Sequence, residues 1–187
     1  MIEDPPLIRR KAKLRRPTSK QIKAFEAVPT GFIADALGGR GAMQHKIKAV
    51  IPSQAQLCGV ALPVDCGPAD NLAVMMALPH VKKGDVIVAA TDQFMATAVT
   101  GDLLLGMLRN LGAVGFVTDG AVRDLVGIEE MGLPCFAAGV TPNSPVRNGP
   151  GTINLPIVCG GVAVEAGDII VGDIDGVVVI PFARIDE

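Results

Sequence analysis

The sequence predicts a mixed α/β domain. Strand, helix and strand succeed one another through its middle, antiparallel hairpins close its last third, and aliphatic side chains are plentiful enough for a real core. With 49% hydrophobic and 19% charged residues in 187, the chain is a packed globule rather than a disordered one.

Taken in order, residues 1–18 read as a basic N-terminal arm and residues 19–187 as one catalytic domain. The arm carries Arg9, Arg10, Lys11, Lys13, Arg15 and Arg16 and reads as solvated. A helix is expected over Ser19–Ala27 and a second near Gly31–Leu37, stopped by Gly38-Gly39. Short β-type runs follow at Ile47–Ile51, Leu57–Pro63 and Val64–Cys66, then a helix at Asn71–Leu78. Asp85–Ala89 is an apolar run between turn signals, hence a buried strand.

The middle is the most regular part. Thr100 reads as an N-cap, with Gly101-Asp102 in the first helical turn and Gly112 as the stop. Leu103, Leu104, Leu105, Met107, Leu108 and Leu111 are expected to supply the apolar face of that helix. Val114–Thr118 is a strand, Asp119-Gly120 a turn, Val122–Met131 a helix and Cys135–Ala138 a strand. The remainder is β-rich: Val158–Val164, Ile169–Val171 and Val177–Ile180, the last two joined by a turn at Asp173–Gly176.

Composition narrows the function. Aromatic residues are 3%, with no Trp and no Tyr, so a base-stacking platform has no rings to use. The net charge of -2 predicts no phosphate-backbone partner, and no nucleic acid is expected. No apolar run is long enough to span a membrane. Cys58, Cys66, Cys135 and Cys159 form no CxxC pair and sit in apolar stretches, so they read as buried free thiols in a cytoplasmic protein.

Two strand-to-helix junctions could carry chemistry, because ligands collect where strands give way to helices. At Thr100-Gly101-Asp102-Leu103-Leu104, a glycine admits a ligand to the backbone, and free N–H groups at the helix start suit a carboxylate. Taken alone, the same residues describe an ordinary helix start with an acid complementing the dipole. At Val122-Arg123-Asp124, both polar residues are expected in the first turn of a helix. Arg offers a planar fork to an anion, and one or two carboxylates with waters can hold Mg²⁺. A capping Asp beside a surface Arg describes the pair equally well.

Asp102, a twenty-residue spacer and then Arg123-Asp124 resemble the motif of the family that contains ribonuclease E activity regulator A and 4-hydroxy-4-methyl-2-oxoglutarate aldolase. Flanking stretches resemble it too, among them Phe32–Met43, Pro68–Asn71 and Gly167–Val171, and the resemblance runs from about Ile22 to Pro181.

The resemblance implies a β/β/α sandwich-like swivelling domain with mixed sheets, assembled as a homotrimer or a dimer of trimers. It implies a class II aldolase acting on 4-hydroxy-4-methyl-2-oxoglutarate-type 4-hydroxy-2-oxo acids to release pyruvate, with oxaloacetate decarboxylase activity and Mg²⁺ or Mn²⁺ as cofactor. Carried over by position, Gly101, Asp102, Leu103 and Leu104 would bind the pyruvate half, and Arg123 would contact its oxo group. Asp124 would hold the metal, and Asp102 would organise a water. The alternative implied by the same family is a regulatory protein that inhibits a ribonuclease E-type enzyme. Aldolase members continue into a C-terminal helix that supplies a Glu to the neighbouring site. This sequence stops at Glu187, so that helix is either absent or lies beyond this sequence, and in the first case the simpler decarboxylation is the expectation. Residues selecting the second half of the substrate are expected at Thr91–Met95 or near Asn71–Met75.

Overall fold

In a computed structural model, which describes residues 6–187, the segment read as an arm begins with a strand, β1 (Ile8–Arg10). Its first five residues lie outside the described residues. Helix α1 (Ser19–Lys23) opens on a capping box. The Thr18 hydroxyl accepts from the Gln21 N–H, and the Gln21 side chain accepts from the Thr18 N–H. It stops short of the expected Ala27, which takes a left-handed φ of 66° and turns the chain. Helix α2 (Thr30–Ala36) is capped from a distance: the Asp173 carboxylate accepts both the Thr30 N–H and its O–H, each at 2.8 Å.

Strand β2 (Lys48–Ala49) is shorter than the apolar run around it, because Pro52 opens a 3-10 turn just beyond. Strand β3 (Leu57–Asp65) runs unbroken where two strands were expected. Pro63 fits because one antiparallel neighbour covers Leu57–Val60 and another covers Val64 and Asp65, so the position without an N–H falls between them. Helix α3 (Leu72–Ala77) and the wholly buried strand β4 (Asp85–Ala90) follow.

Next come β5 (Ala98–Thr100), α4 (Asp102–Asn110), β6 (Gly115–Thr118), β7 (Ala121–Val122), α5 (Leu125–Met131), β8 (Cys135–Ala137) and β9 (Gly139–Val140). The chain closes through β10 (Gly151–Ile153), the hairpin of β11 (Ile157–Cys159) and β12 (Val162–Val164), and the hairpin of β13 (Ile169–Asp173) and β14 (Gly176–Ile180).

The main sheet has the order β1-β10-β3-β4-β6-β8-β2, with β13 on the other half of β3 and β14 beyond it. Strands β3, β4, β6 and β8 are parallel, joined by crossovers that contain α3, α4 and α5. Alternation along β4 sorts the core into layers. Ile87 and Ala89 face Leu105, Leu108 and Ile128 of the helices. Val86, Val88 and Ala90 face Ile157, Cys159 and Val164 of the β11–β12 hairpin. Helices on one face and hairpins on the other make the β/β/α sandwich-like arrangement with mixed sheets that the resemblance implies.

The basic segment is not solvated throughout. Arg16 pairs with Asp85, whose side chain is only 3% exposed, and donates to the Lys83 carbonyl at 3.0 Å. Burial raises the Asp85 pKa, against the lowering effect of the Lys82 N–H and Arg16. All four cysteines are free: Cys66, Cys135 and Cys159 are buried, and Cys58 is half-buried. Burial pushes the Cys135 thiol up to about 12, which leaves it inert.

Candidate functional site

Beyond the C-terminal edge of the parallel strands, β5, β7 and β9 form a small parallel ribbon of their own. Buried Asp119, just after β6, fixes how the ribbon is entered. Its carboxylate accepts the Thr91 N–H at 2.8 Å and the Thr91 hydroxyl at 3.1 Å, tying the loop after β4 to the turn after β6. The ribbon brings the two junctions side by side. The Arg123 N–H donates to the Thr100 carbonyl at 3.1 Å, so the chain entering α4 and the chain entering α5 are hydrogen-bonded neighbours.

Both junctions differ locally from expectation. Thr100 is the last residue of β5 rather than an N-cap, because its carbonyl is committed to the ribbon. Gly101 is the N-cap, extended at φ −145°, and Asp102 is the first helical residue. Arg123 and Asp124 are not in a first helical turn. Ala121–Val122 is strand, Asp124 is the N-cap in the left-handed region (φ 63°, ψ 47°), and α5 starts at Leu125. Pairing in the ribbon outweighs helix propensity here. Asp is among the few non-glycine residues that tolerate a left-handed backbone.

The consequence is close contact between residues a spacer apart. A Cβ at position 101 would collide with Asp124 Oδ2 and lie 3.1 Å from Arg123 Cγ, so only glycine lets the Asp124 carboxylate rest against the start of α4. In the same way a Cβ at 127 would lie 2.7 Å from Asp102 Cβ, so Gly127 makes room for Asp102 against α5. The Leu103 N–H donates to Asp102 Oδ1 at 2.6 Å, and the first ladder bond is Leu105 N–H to Gly101 C=O at 3.1 Å. The positive end of α4 therefore faces outward at Asp102–Leu104.

Gly101, Asp102, Leu103, Leu104, Arg123 and Asp124 all line one cleft of about 210 Å³, a size for one small molecule. Arg123 lies across it, its Nε 3.2 Å from Asp124 Oδ2 and its Nη1 donating to the Ser144 hydroxyl at 2.6 Å. The irregular segment Ser144-Pro145 with Arg147, which sequence reading missed, also lines the cleft. No local motif marks it, because it arrives through a bridge between Val146 and Asp70. Of the two regions expected to select the rest of a substrate, Asn71 and Met75 line the cleft, whereas no residue of Thr91–Met95 does.

The donor set discriminates among metals. Among the described residues no three His, Cys, Asp or Glu side chains converge, so a site fully ligated by protein is not on offer. Asp124, with its side chain 43% exposed at the cleft, and Asp102 nearby fit a cation that keeps most of its water, as Mg²⁺ does.

Comparison with known proteins adds four findings. The family model for RraA-like proteins (Aldolase/RraA) matches residues 30–179. Over 160 residues the chain is 42% identical to a protein of Halalkalibacterium halodurans named "Putative 4-hydroxy-4-methyl-2-oxoglutarate aldolase", covering 86% of this chain and 76% of that one. Among solved structures, the RNA-processing inhibitor RraA from Thermus thermophilis superposes with a TM-score of 0.74 at 25% identity, covering 82% of this chain and 93% of that one. An S-adenosylmethionine: 2-dimethylmenaquinone methyltransferase from Geobacillus kaustophilus superposes equally well, with a TM-score of 0.74 at 27% identity over 82% and 94% of the two chains.

Proposed function

Since the chain belongs to the RraA-like (Aldolase/RraA) family, we propose that it is a divalent-metal-dependent class II aldolase. In this reading it cleaves 4-hydroxy-4-methyl-2-oxoglutarate-type 4-hydroxy-2-oxo acids to pyruvate and decarboxylates oxaloacetate. One observation carries the reading: an anion seat, a guanidinium and a carboxylate share a single small cleft.

Each residue then has a task. The first-turn N–H groups of α4 that Asp102 leaves free, those of Asp102 and Leu104, hold the substrate carboxylate. Arg123, fixed by Ser144 and Asp124, aims its guanidinium at the 2-oxo oxygen. When the C3–C4 bond breaks, its electron pair becomes the pyruvate enolate, and Arg123 neutralises the charge on the enolate oxygen. Asp102 orients a water that takes up the C4 hydroxyl proton as that carbon becomes a carbonyl and returns it to C3 of the enolate. Asp124, with Asp102 in the same cleft, would hold the Mg²⁺ or Mn²⁺, which would supply Lewis acidity to the reaction. Among the residues lining the cleft there is no lysine, consistent with a route that needs no imine.

The test is pyruvate release from oxaloacetate and from 4-hydroxy-4-methyl-2-oxoglutarate, with and without Mg²⁺, read by a lactate dehydrogenase couple. Asp124→Ala is expected to slow it by about 10²-fold or more. Equal rates in variant and parent would remove Asp124 from the metal site.

The likeness to the Thermus inhibitor supports a second reading, a regulator that binds a ribonuclease E-type enzyme. Pull-down with such a partner separates the two. Binding that survives Asp124→Ala, with no pyruvate release from the parent, would make this the function.

A further inference from the structure

The side of the cleft at residues 144–147 is built more firmly than a surface loop needs to be. Asp70, 6% exposed, spends its whole carboxylate on backbone. Its Oδ1 accepts the Leu72 N–H at 2.7 Å, and its Oδ2 accepts the Asn148 and Gly149 N–H groups at 2.6 and 2.9 Å. Two further bonds flank it: Val146 N–H to the Ala69 carbonyl at 2.8 Å, and Asn71 N–H to the Val146 carbonyl at 3.1 Å. These contacts clamp the segment on both sides of Arg147 to the start of α3.

The clamped residue is a second guanidinium on the cleft. Arg123 is engaged by Ser144 and Asp124. Among the described residues Arg147 makes no ion pair and no side-chain hydrogen bond, although it lines the same cleft. Charge matching then becomes informative. A divalent cation is balanced by Asp102 and Asp124, the start of α4 takes one substrate carboxylate, and Arg123 faces the adjacent 2-oxo oxygen. Arg147 is left over unless the ligand brings a second anionic group.

We propose that Arg147, positioned by Asp70, is a specificity-determining residue that pairs with the distal carboxylate of a dicarboxylic 2-oxo acid. The assignment rests on the aldolase reading for the location of the first carboxylate. A planar fork fits a carboxylate bidentately, and such a bond discriminates strongly against a ligand that lacks the acceptor.

The experiment compares two ligands of equal chain length, 2-oxoglutarate and 2-oxopentanoate, by calorimetric titration of the whole chain with Mg²⁺ present. The parent is expected to prefer 2-oxoglutarate by about tenfold or more. Arg147→Gln should weaken 2-oxoglutarate by about that factor and leave 2-oxopentanoate unchanged, with Arg147→Lys between. Asp70→Asn should shift 2-oxoglutarate in the same direction while sparing 2-oxopentanoate, a split that mere loss of folding would not give. Equal affinities in the parent, or a preference that survives Arg147→Gln, overturns the assignment, and so does absence of binding by either acid. A preference that Arg147→Gln abolishes, in a protein that releases no pyruvate from any 4-hydroxy-2-oxo acid, supports the assignment and rejects the aldolase chemistry instead.

Discussion

Gly101 and Asp124 show how one residue depends on another twenty-odd positions away. The carboxylate occupies the space where any other residue at 101 would place its Cβ. Gly101→Ala is therefore expected to displace the carboxylate and cut pyruvate release by about 10²-fold, as misplacement of a reacting group by about 1 Å does. The melting temperature should move far less than the rate, since Gly101 has an extended backbone open to alanine. Calorimetry beside the coupled assay separates the two effects. Parent-like turnover would mean that Asp124 need not sit where the structure has it.

At the scale of elements, two acids respond to pH with opposite sign. Burial pushes the Asp173 pKa up, but hydrogen bonds from Thr30, Asp175 and Gly176 together outweigh it and hold the carboxyl below its usual range. The ionised form is thus favoured in the fold. Its contribution to α2 is present above the ordinary carboxylate pKa and is lost as pH falls through the lowered one. Asp173→Asn should cost about 1 kcal/mol near neutrality and progressively less on acidification, read by denaturant titration at several pH values. A cost independent of pH would refute the capping role. Asp85 is the reverse case: its pKa is raised, so its ionised form weighs against folding as pH rises. Arg16→Ala leaves that buried carboxylate unpaired. We expect a loss of about 3 kcal/mol at neutral pH that shrinks toward acid, where Asp85 takes up a proton. Urea midpoints at pH 7 and pH 4 provide the check.

Elements were legible in the sequence where pattern and pairing agree. β4 has an unbroken apolar run and is buried on both faces, and α2 ends at its two glycines as the sequence indicates. The junctions were misread where long-range pairing outweighs local preference. Val122 reads as helical beside Leu125–Met131, yet it is strand because its neighbours lie in β5 and β9. The six residues of the motif were found by resemblance and by position after strands. Arg147 was not, because Asp70 and Val146 meet only in the folded chain.

At the scale of the whole molecule, α4 leaves much of its apolar face exposed, with Leu103 and Met107 on the cleft side. Leu105 and Leu108 are buried, but Leu103, Met107 and Leu111 of the expected apolar face are 78%, 53% and 46% exposed. Val126 of α5 and Val140 of β9 are exposed as well. Exposed apolar side chains of this kind suit contact with a second copy of the chain. We propose the homotrimer, or a dimer of trimers, as their use. Sedimentation should give three or six times the 19.3 kDa chain mass, and Leu103→Lys should shift the protein toward monomer. A monomeric parent would end this reading. Among the described residues no helix is long and apolar enough to cross a membrane.

The contact between the two junctions also has a meaning for descent. A side chain at 101 and a carboxylate placed as Asp124 is cannot occupy one molecule of this fold. A larger residue at 101 requires the Asp124 carboxylate to swing away from the start of α4, so the two positions are constrained to change together.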